Sequence, residues 1–139
     1  MKKSRILVID DNIDATRVVK LTLERTGLYE VRELNSPAEA LTVVREYQPD
    51  LIFVDVNMPE IGGGEVAFMI RSDKKFERTP IVFLTSLVSE RESKSTGVLV
   101  GGFHFVAKPP RLERMMDCIE RNLATASIEE RPSTERNTP

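Results

Sequence analysis

Cysteine is almost absent from this sequence: Cys118 is the one cysteine among 139 residues. An internal disulfide needs two cysteines and is therefore excluded. Cys118 falls on the apolar spacing of "LERMMDCIERNL", so we expect a packed side chain rather than a nucleophile.

Long apolar runs and a large net charge are also missing. Four apolar residues stand between the basic start "MKKSR" and Asp10, too few for a signal-peptide core or a membrane span. We therefore expect a cytoplasmic protein that does not associate with a membrane. A formal net charge of −2 argues against a surface built mainly to bind nucleic acid, so no direct nucleic-acid partner is expected.

The composition that remains is that of one folded domain. Hydrophobic residues make up 40% and charged residues 30% of the chain, and its length suits a single core. The last segment, "IEERPSTERNTP", has no large apolar residue after Ile128 and the composition of a linker. We place one domain at residues 1–126 and a flexible tail or linker remnant at 127–139.

Short apolar runs alternate with segments of helical spacing. Strands are predicted at residues 5–10, 29–34, 50–56, 80–86 and 103–108. Three of these runs are continuously apolar, as is typical of a parallel sheet covered on both faces. The predicted fold class is therefore α/β, a doubly wound five-stranded parallel sheet with five helices on its two faces.

Two of the predicted helices have informative sequences. Ser36, Pro37 and Glu39 predict a helix start with Ser36 as N-cap and Glu39 closing a capping box. The fourth helix has to come from "SLVSERESKSTGVLVGG", which mixes Ser, Thr and Gly into its middle. We expect this fourth helix to be short or mobile.

Polar residues stand at the carboxyl ends of the predicted strands. Asp10 and Asp11 follow the first strand, Asp55 ends the third, Thr85 the fourth and Lys108 the fifth. A strand order that reverses near the first strand brings these ends to one crevice. Three carboxylates there repel one another and call for a cation, and oxygen ligands suit Mg²⁺. A hydroxyl and a lysine beside them suit a phosphoryl group, with Asp55 as the nucleophile.

Each of these residues also has a purely structural interpretation. Asp11 or Asn12 is a suitable cap for the first helix, and Thr85 a suitable turn hydroxyl. Lys108 fits a solvated loop, or a salt bridge to a buried Asp55. The joint pattern, rather than any single residue, favours the chemical interpretation.

Four motifs together resemble the receiver domain of two-component response regulators, over about residues 4–125. They are "ILVIDDN", "LIFVDVNMPEIGG", "PIVFLTS" and "VGGFHFVAKPP". The resemblance implies a flavodoxin-like sheet of order 2-1-3-4-5 and a switch domain rather than an enzyme. Its partners would be a sensor histidine kinase or phosphotransfer protein and a downstream protein, with homodimerisation on phosphorylation as a further expectation.

The resemblance also implies a role for each matching residue at the site. Asp55 would be the phosphoacceptor. Mg²⁺ would be bound by the side chains of Asp11 and Asp55, by Asp10 through water, and by the backbone carbonyl of Asn57.

A second group of residues would sense the phosphoryl group. Thr85 and Lys108 would hold its oxygens, and Phe105 would turn inward as the Thr85 hydroxyl moves toward it. Phe105 also fits the role of an ordinary core residue.

Two features depart from the pattern of the family. The interval from Thr85 to Lys108 is one residue longer than expected, which we assign to the fourth helix. Gly62 and Gly64 flank the glycine expected at Gly63, and we expect them to make the start of the third helix flexible.

Two other functions stay open on the sequence. A phosphotransferase of the haloacid dehalogenase type also uses a strand-end aspartate with Mg²⁺ and a lysine, but it needs a general acid where this chain has Asn57. A phosphorylation-independent protein-binding scaffold would use the same fold without accepting phosphate. Every residue that the phosphoryl chemistry needs is present, so the phosphorylation switch is the predicted function.

Overall fold

The apolar runs form the strands of one sheet in the computed structural model, which describes residues 2–86, 99–100 and 103–129. The strands are β1 (Ser4–Ile9), β2 (Tyr29–Leu34), β3 (Leu51–Asp55), β4 (Ile81–Thr85), β5 (Leu99–Val100) and β6 (Phe103–Ala107). The five predicted strands match β1 to β4 and β6 to within one residue at either end.

Four α-helices lie within the described residues, against five predicted. They are α1 (Ile13–Glu24), α2 (Ala40–Tyr47), α3 (Gly63–Arg71) and α4 (Leu112–Glu129). The predicted fourth helix falls largely on residues 87–98 and 101–102, outside the described residues, and so does the extra residue assigned to it. No helix of the described stretches has the length and apolar character needed to cross a membrane.

The predicted capping box at Ser36 is wrong. A 3₁₀ turn, Pro37–Glu39, precedes α2, and the Ser36 side chain makes no cap hydrogen bond. Instead the Ser36 carbonyl accepts from the Glu39 backbone N–H at 3.0 Å, which closes the turn with main-chain atoms alone. The proline fixes its own backbone angle and suits this tight turn as well as it suits a helix start.

The strand order is β2-β1-β3-β4-β6-β5. The pairs formed by β1 to β4 and β6 are all parallel, which confirms the predicted doubly wound, flavodoxin-like sheet with order 2-1-3-4-5. A two-residue strand, β5, adds to the edge in the antiparallel direction and was not predicted. Ile9 pairs with Val54, Asp55 with Leu84 and Thr85 with Ala107, so the carboxyl ends of these strands lie level.

Two apolar layers explain why the strand sequences are continuous rather than alternating. Leu7, Ile9 and Val54 pack against residues of α2 and α3, whereas Ile6 and Phe53 pack against residues of α1 and α4 on the other face. Successive residues of a strand face opposite sides, so a sheet covered on both faces buries every position. A carboxylate at the end of such a strand is therefore held against the core.

Cys118 belongs to the second of these layers, as expected from its spacing on α4. Its side chain is 8% exposed, and burial raises the pKa of the thiol to about 12. The neutral thiol packs as a small apolar group. α4 itself continues to Glu129, and the flexible tail at 127–139 stays a prediction because residues 130–139 lie outside the described part.

Candidate functional site

Three carboxylates meet at the carboxyl edge of the sheet. Asp10 follows β1, Asp55 ends the neighbouring β3, and Asp11 comes directly after Asp10. One oxygen from each lies within 4.8 Å of the other two. Asp10 and Asp55 are 2% and 6% exposed, whereas Asp11 is exposed at the mouth of the site.

Lys108 joins two of these carboxylates. Its Nζ donates to Asp10 Oδ2 and to Asp55 Oδ1, each at 3.1 Å. The Lys108 backbone N–H donates to the Thr85 carbonyl at 2.9 Å, which carries the sheet pairing one residue past β6. Lys108 is thus aimed at the carboxylates by the end of its own strand rather than by a free loop.

The electrostatics of the group leave negative charge uncompensated. Burial raises the pKa of Asp55, Lys108 opposes that rise, and the charges of Asp10 and Asp11 add to it. Burial alone would lower the pKa of Lys108, but its hydrogen bonds to Asp10 and Asp55 outweigh burial and raise it. Three carboxylates and one ammonium sum to a formal charge of −2, which one divalent cation would balance.

The donor set suits such a cation. Carboxylate oxygens without a thiolate or imidazole among them are the ligands of a hard ion such as Mg²⁺. Asn57 lies exposed in the loop after β3, and its part as a metal ligand through the backbone carbonyl stays a prediction.

Asn12, rather than Asp11, caps the N-terminus of α1. Asn12 Oδ1 accepts from the Ala15 N–H at 3.0 Å and caps α1. Asp10 Oδ1 accepts from the Asn12 N–H at 3.0 Å, which orders the turn that leads into the helix. Because Asn12 does the capping, Asp11 is not required as the cap and lies at the mouth of the site.

Thr85 and Phe105 lie on the next two strands. Thr85 ends β4 at this edge, whereas Phe105 pairs with Phe83, two residues before β6 ends. Thr85 is buried at the end of β4, beside the strand that carries Asp55. Phe105 lies on β6, half-buried, with its ring tilted against Phe83 at a centroid distance of 5.4 Å. Phe83 also meets Phe103 edge to face at 5.1 Å, so Phe105 borders an aromatic cluster rather than the centre of the core.

Gly63 is a site residue whose importance the sequence pattern understated. A Cβ at Gly63 would lie 2.6 Å from the Asp55 carbonyl oxygen, and the Gly63 N–H donates to the Val56 carbonyl at 3.0 Å. The start of α3 is therefore packed against the backbone of Asp55, where a side chain would fit only if the backbone shifted. The close contact concerns Gly63, because Gly64 next to it has open space around its α-carbon. The flexibility expected from Gly62 and Gly64 stays a prediction.

The comparisons with known proteins agree with this fold. The family "Response regulator receiver domain" matches residues 6–120, and the chain belongs to that family.

Two curated proteins are similar to most of this chain. One is the polar-differentiation response regulator DivK of Brucella ovis, 28% identical over 127 residues, which span 91% of this chain and 100% of DivK. The other is protein RcaC of Microchaete diplosiphon, 31% identical over 120 residues, which span 86% of this chain and 18% of RcaC.

Solved structures give the same result. The chemotaxis protein CheY4 of Vibrio cholerae is 31% identical with a TM-score of 0.73, covering 86% of this chain and 98% of CheY4. A response regulator from Chloroflexus aurantiacus is 26% identical with a TM-score of 0.73, covering 88% of this chain and 99% of that structure.

Proposed function

We propose that this receiver domain is a phosphorylation switch that accepts a phosphoryl group on Asp55 in the presence of Mg²⁺ and thereby changes its binding to a protein partner. Support comes chiefly from one observation. A carboxylate that is 6% exposed lies at 3.1 Å from a lysine and within 4.8 Å of two further carboxylates. Burying a carboxylate is costly unless its charge is compensated, and the single ammonium of Lys108 cannot compensate three carboxylates, so the group favours binding of a cation.

The side chains of Asp11 and Asp55, Asp10 through water, and the Asn57 carbonyl would bind Mg²⁺. The ion would neutralise negative charge on the site and on the incoming phosphoryl group. The phosphoryl group would come from a phosphohistidine of a donor protein. An Asp55 oxygen would attack the phosphorus atom, and the bond from phosphorus to the histidine nitrogen would break. The donor keeps the electron pair of that bond and takes up a proton, and Asp55 becomes an acyl phosphate.

The residues around Asp55 would then hold the new charge. Lys108 already hydrogen-bonds Asp55, and the raised pKa of its ammonium keeps it positively charged for a phosphoryl oxygen. Thr85 would offer its hydroxyl to a second oxygen. Phe105 would turn inward as Thr85 moves and so alter the surface to which the partner binds.

The phosphoryl donor would be a sensor histidine kinase or a phosphotransfer protein, and the output a downstream protein, with homodimerisation as one form of that output. A cytoplasmic location, expected from the sequence, is part of the proposal. A switch of this kind needs the phosphoryl group to favour the active state by about 1–3 kcal/mol, the usual size of an allosteric coupling.

Intact-protein mass spectrometry after incubation with Mg²⁺ and acetyl phosphate tests this function. We expect a gain of one phosphoryl group that EDTA and Asp55→Asn abolish. Asp117→Asn makes the same chemical change at an exposed aspartate on α4 and is expected to leave the gain intact. No gain in the wild-type chain would contradict the proposal, and repeated turnover of a small phosphoester would favour an enzyme instead.

A further inference from the structure

Asn35, directly after β2, is bonded to the backbone of the acidic pair. Its Nδ2 donates to the Asp10 carbonyl at 2.8 Å and to Thr16 Oγ1 at 3.0 Å. With Asp11 and Glu60, Asn35 also lines a groove of about 280 Å³ at the mouth of the site. The four motifs quoted above do not include Asn35.

The second bond anchors Asn35 to α1 through a chain of polar groups. Thr16 is fully buried, and its hydroxyl lies 2.8 Å from Glu33 Oε1 and 3.1 Å from the Ile13 carbonyl. A hydroxyl has one proton, which goes to Glu33 or Ile13, so the oxygen is left to accept from Asn35. Glu33 in turn accepts from Arg17 Nε at 3.2 Å.

The bond to the Asp10 carbonyl also controls Asp11. The Asp10 carbonyl and the Asp11 N–H belong to one planar peptide unit. Rotating that plane would break the bond from Asn35 Nδ2 at 2.8 Å. The direction in which the exposed Asp11 side chain leaves the backbone therefore depends on Asn35, whereas the Asp10 carboxylate is held separately by Asn12 and Lys108.

We propose that Asn35 is a positioning residue for the metal site, which orients the Asp10–Asp11 peptide so that the Asp11 carboxylate faces the same cation as the Asp10 carboxylate. This inference rests on the proposed Mg²⁺-dependent function. Groups that orient metal ligands without touching the metal typically change its affinity about 10- to 100-fold when they are removed.

The test is the Mg²⁺ affinity of Asn35→Ala, measured by calorimetric titration. We expect affinity about 10-fold weaker than wild type, the lower end of that range, because the carboxylates themselves remain. Thr16→Val is expected to weaken affinity less. The double variant should lose less than the product of the two single losses, because both act through the same bond.

Tyr47→Phe is the matched control. It removes one side-chain bond to a strand carbonyl, from Tyr47 Oη to the Glu30 oxygen at 3.1 Å, away from the acidic group. We expect its Mg²⁺ affinity to equal that of wild type. Asn35→Ser keeps a short polar side chain and provides a second variant if Asn35→Ala does not fold. Its Mg²⁺ affinity should lie between that of wild type and that expected for Asn35→Ala.

The binding results distinguish a failure of the positioning role of Asn35 from a failure of the proposed function. If wild type does not bind Mg²⁺, the proposed function itself is contradicted. If wild type binds and the Asn35 variants bind equally well, or if Tyr47→Phe weakens binding as much as they do, the positioning role alone is overturned.

Discussion

Replacing Gly63 by alanine tests how closely the start of α3 packs against the end of β3. The added Cβ would lie 2.6 Å from the Asp55 carbonyl oxygen, 3.0 Å from Val56 Cα and 3.2 Å from Phe83 Cε1. Two of these three atoms belong to the backbone of a buried strand end, which cannot rotate away as a flexible side chain can. Gly64, the next residue, has no atom within 4 Å of the same construction.

The magnitude follows from two opposing terms. Overpacking a well-packed core costs about 1–3 kcal/mol, and contact with backbone argues for the upper part of that range. Alanine in place of glycine within a helix gains about 0.5–1 kcal/mol. Gly63→Ala is therefore expected to be about 1–2 kcal/mol less stable than wild type. Gly64→Ala should be as stable as wild type or up to about 1 kcal/mol more stable.

Urea unfolding followed by far-ultraviolet circular dichroism measures both variants against wild type. The gain in helix propensity is similar at the two neighbouring positions, so the difference in stability between the two variants, about 1–3 kcal/mol, measures the cost of the contact at Gly63. The rate of phosphorylation of Asp55 should fall in Gly63→Ala and stay at the wild-type value in Gly64→Ala. The close approach is refuted if Gly63→Ala proves as stable as Gly64→Ala with an equal denaturant slope.

Three further predictions concern charge at the site and the buried thiol. Mg²⁺ at about 100 times its dissociation constant should stabilise wild type by about 2.7 kcal/mol in thermal unfolding, and Asp11→Asn should lose most of this gain; equal stabilisation of the variant would argue for binding elsewhere. Without metal, Asp55→Asn should be more stable than wild type at neutral pH, because the raised pKa of Asp55 means that folding disfavours its ionised form. That advantage should grow as pH rises from the ordinary pKa of aspartate through the raised one and vanish below both, and urea unfolding at several pH values would expose the opposite trend if it existed. Cys118, with its pKa raised to about 12, should react with a thiol reagent at pH 8 only after unfolding in urea, and rapid labelling of the native protein would show that it is not buried.

The strands and the main site residues are predictable from the sequence for one physical reason. A parallel sheet covered on both faces buries every strand position, so apolar runs mark the strands and a polar residue at a run's end marks its carboxyl edge. Because those edges lie side by side, Asp10, Asp55 and Lys108 come together although they are far apart in the chain.

Contacts that depend on the path of the backbone are not predictable in this way. The space around Gly63 depends on how α3 meets β3, and a run of three glycines does not say which one is confined. The Ser36 cap failed because main-chain atoms close the turn there. Asn35 follows an ordinary strand, and its bond to the Asp10 carbonyl arises only from the pairing of β2 with β1.

The most direct test of the central claim is the position of the phosphoryl group in the chain. Borohydride reduces an acyl phosphate to an alcohol, which converts a modified aspartate to homoserine. After Mg²⁺-dependent phosphorylation, reduction and proteolysis, peptide mass spectrometry should find homoserine at position 55, with Asp10, Asp11 and Asp117 unchanged. Homoserine at another aspartate, or none in a chain that binds Mg²⁺, would contradict the assignment of Asp55 as the phosphoacceptor.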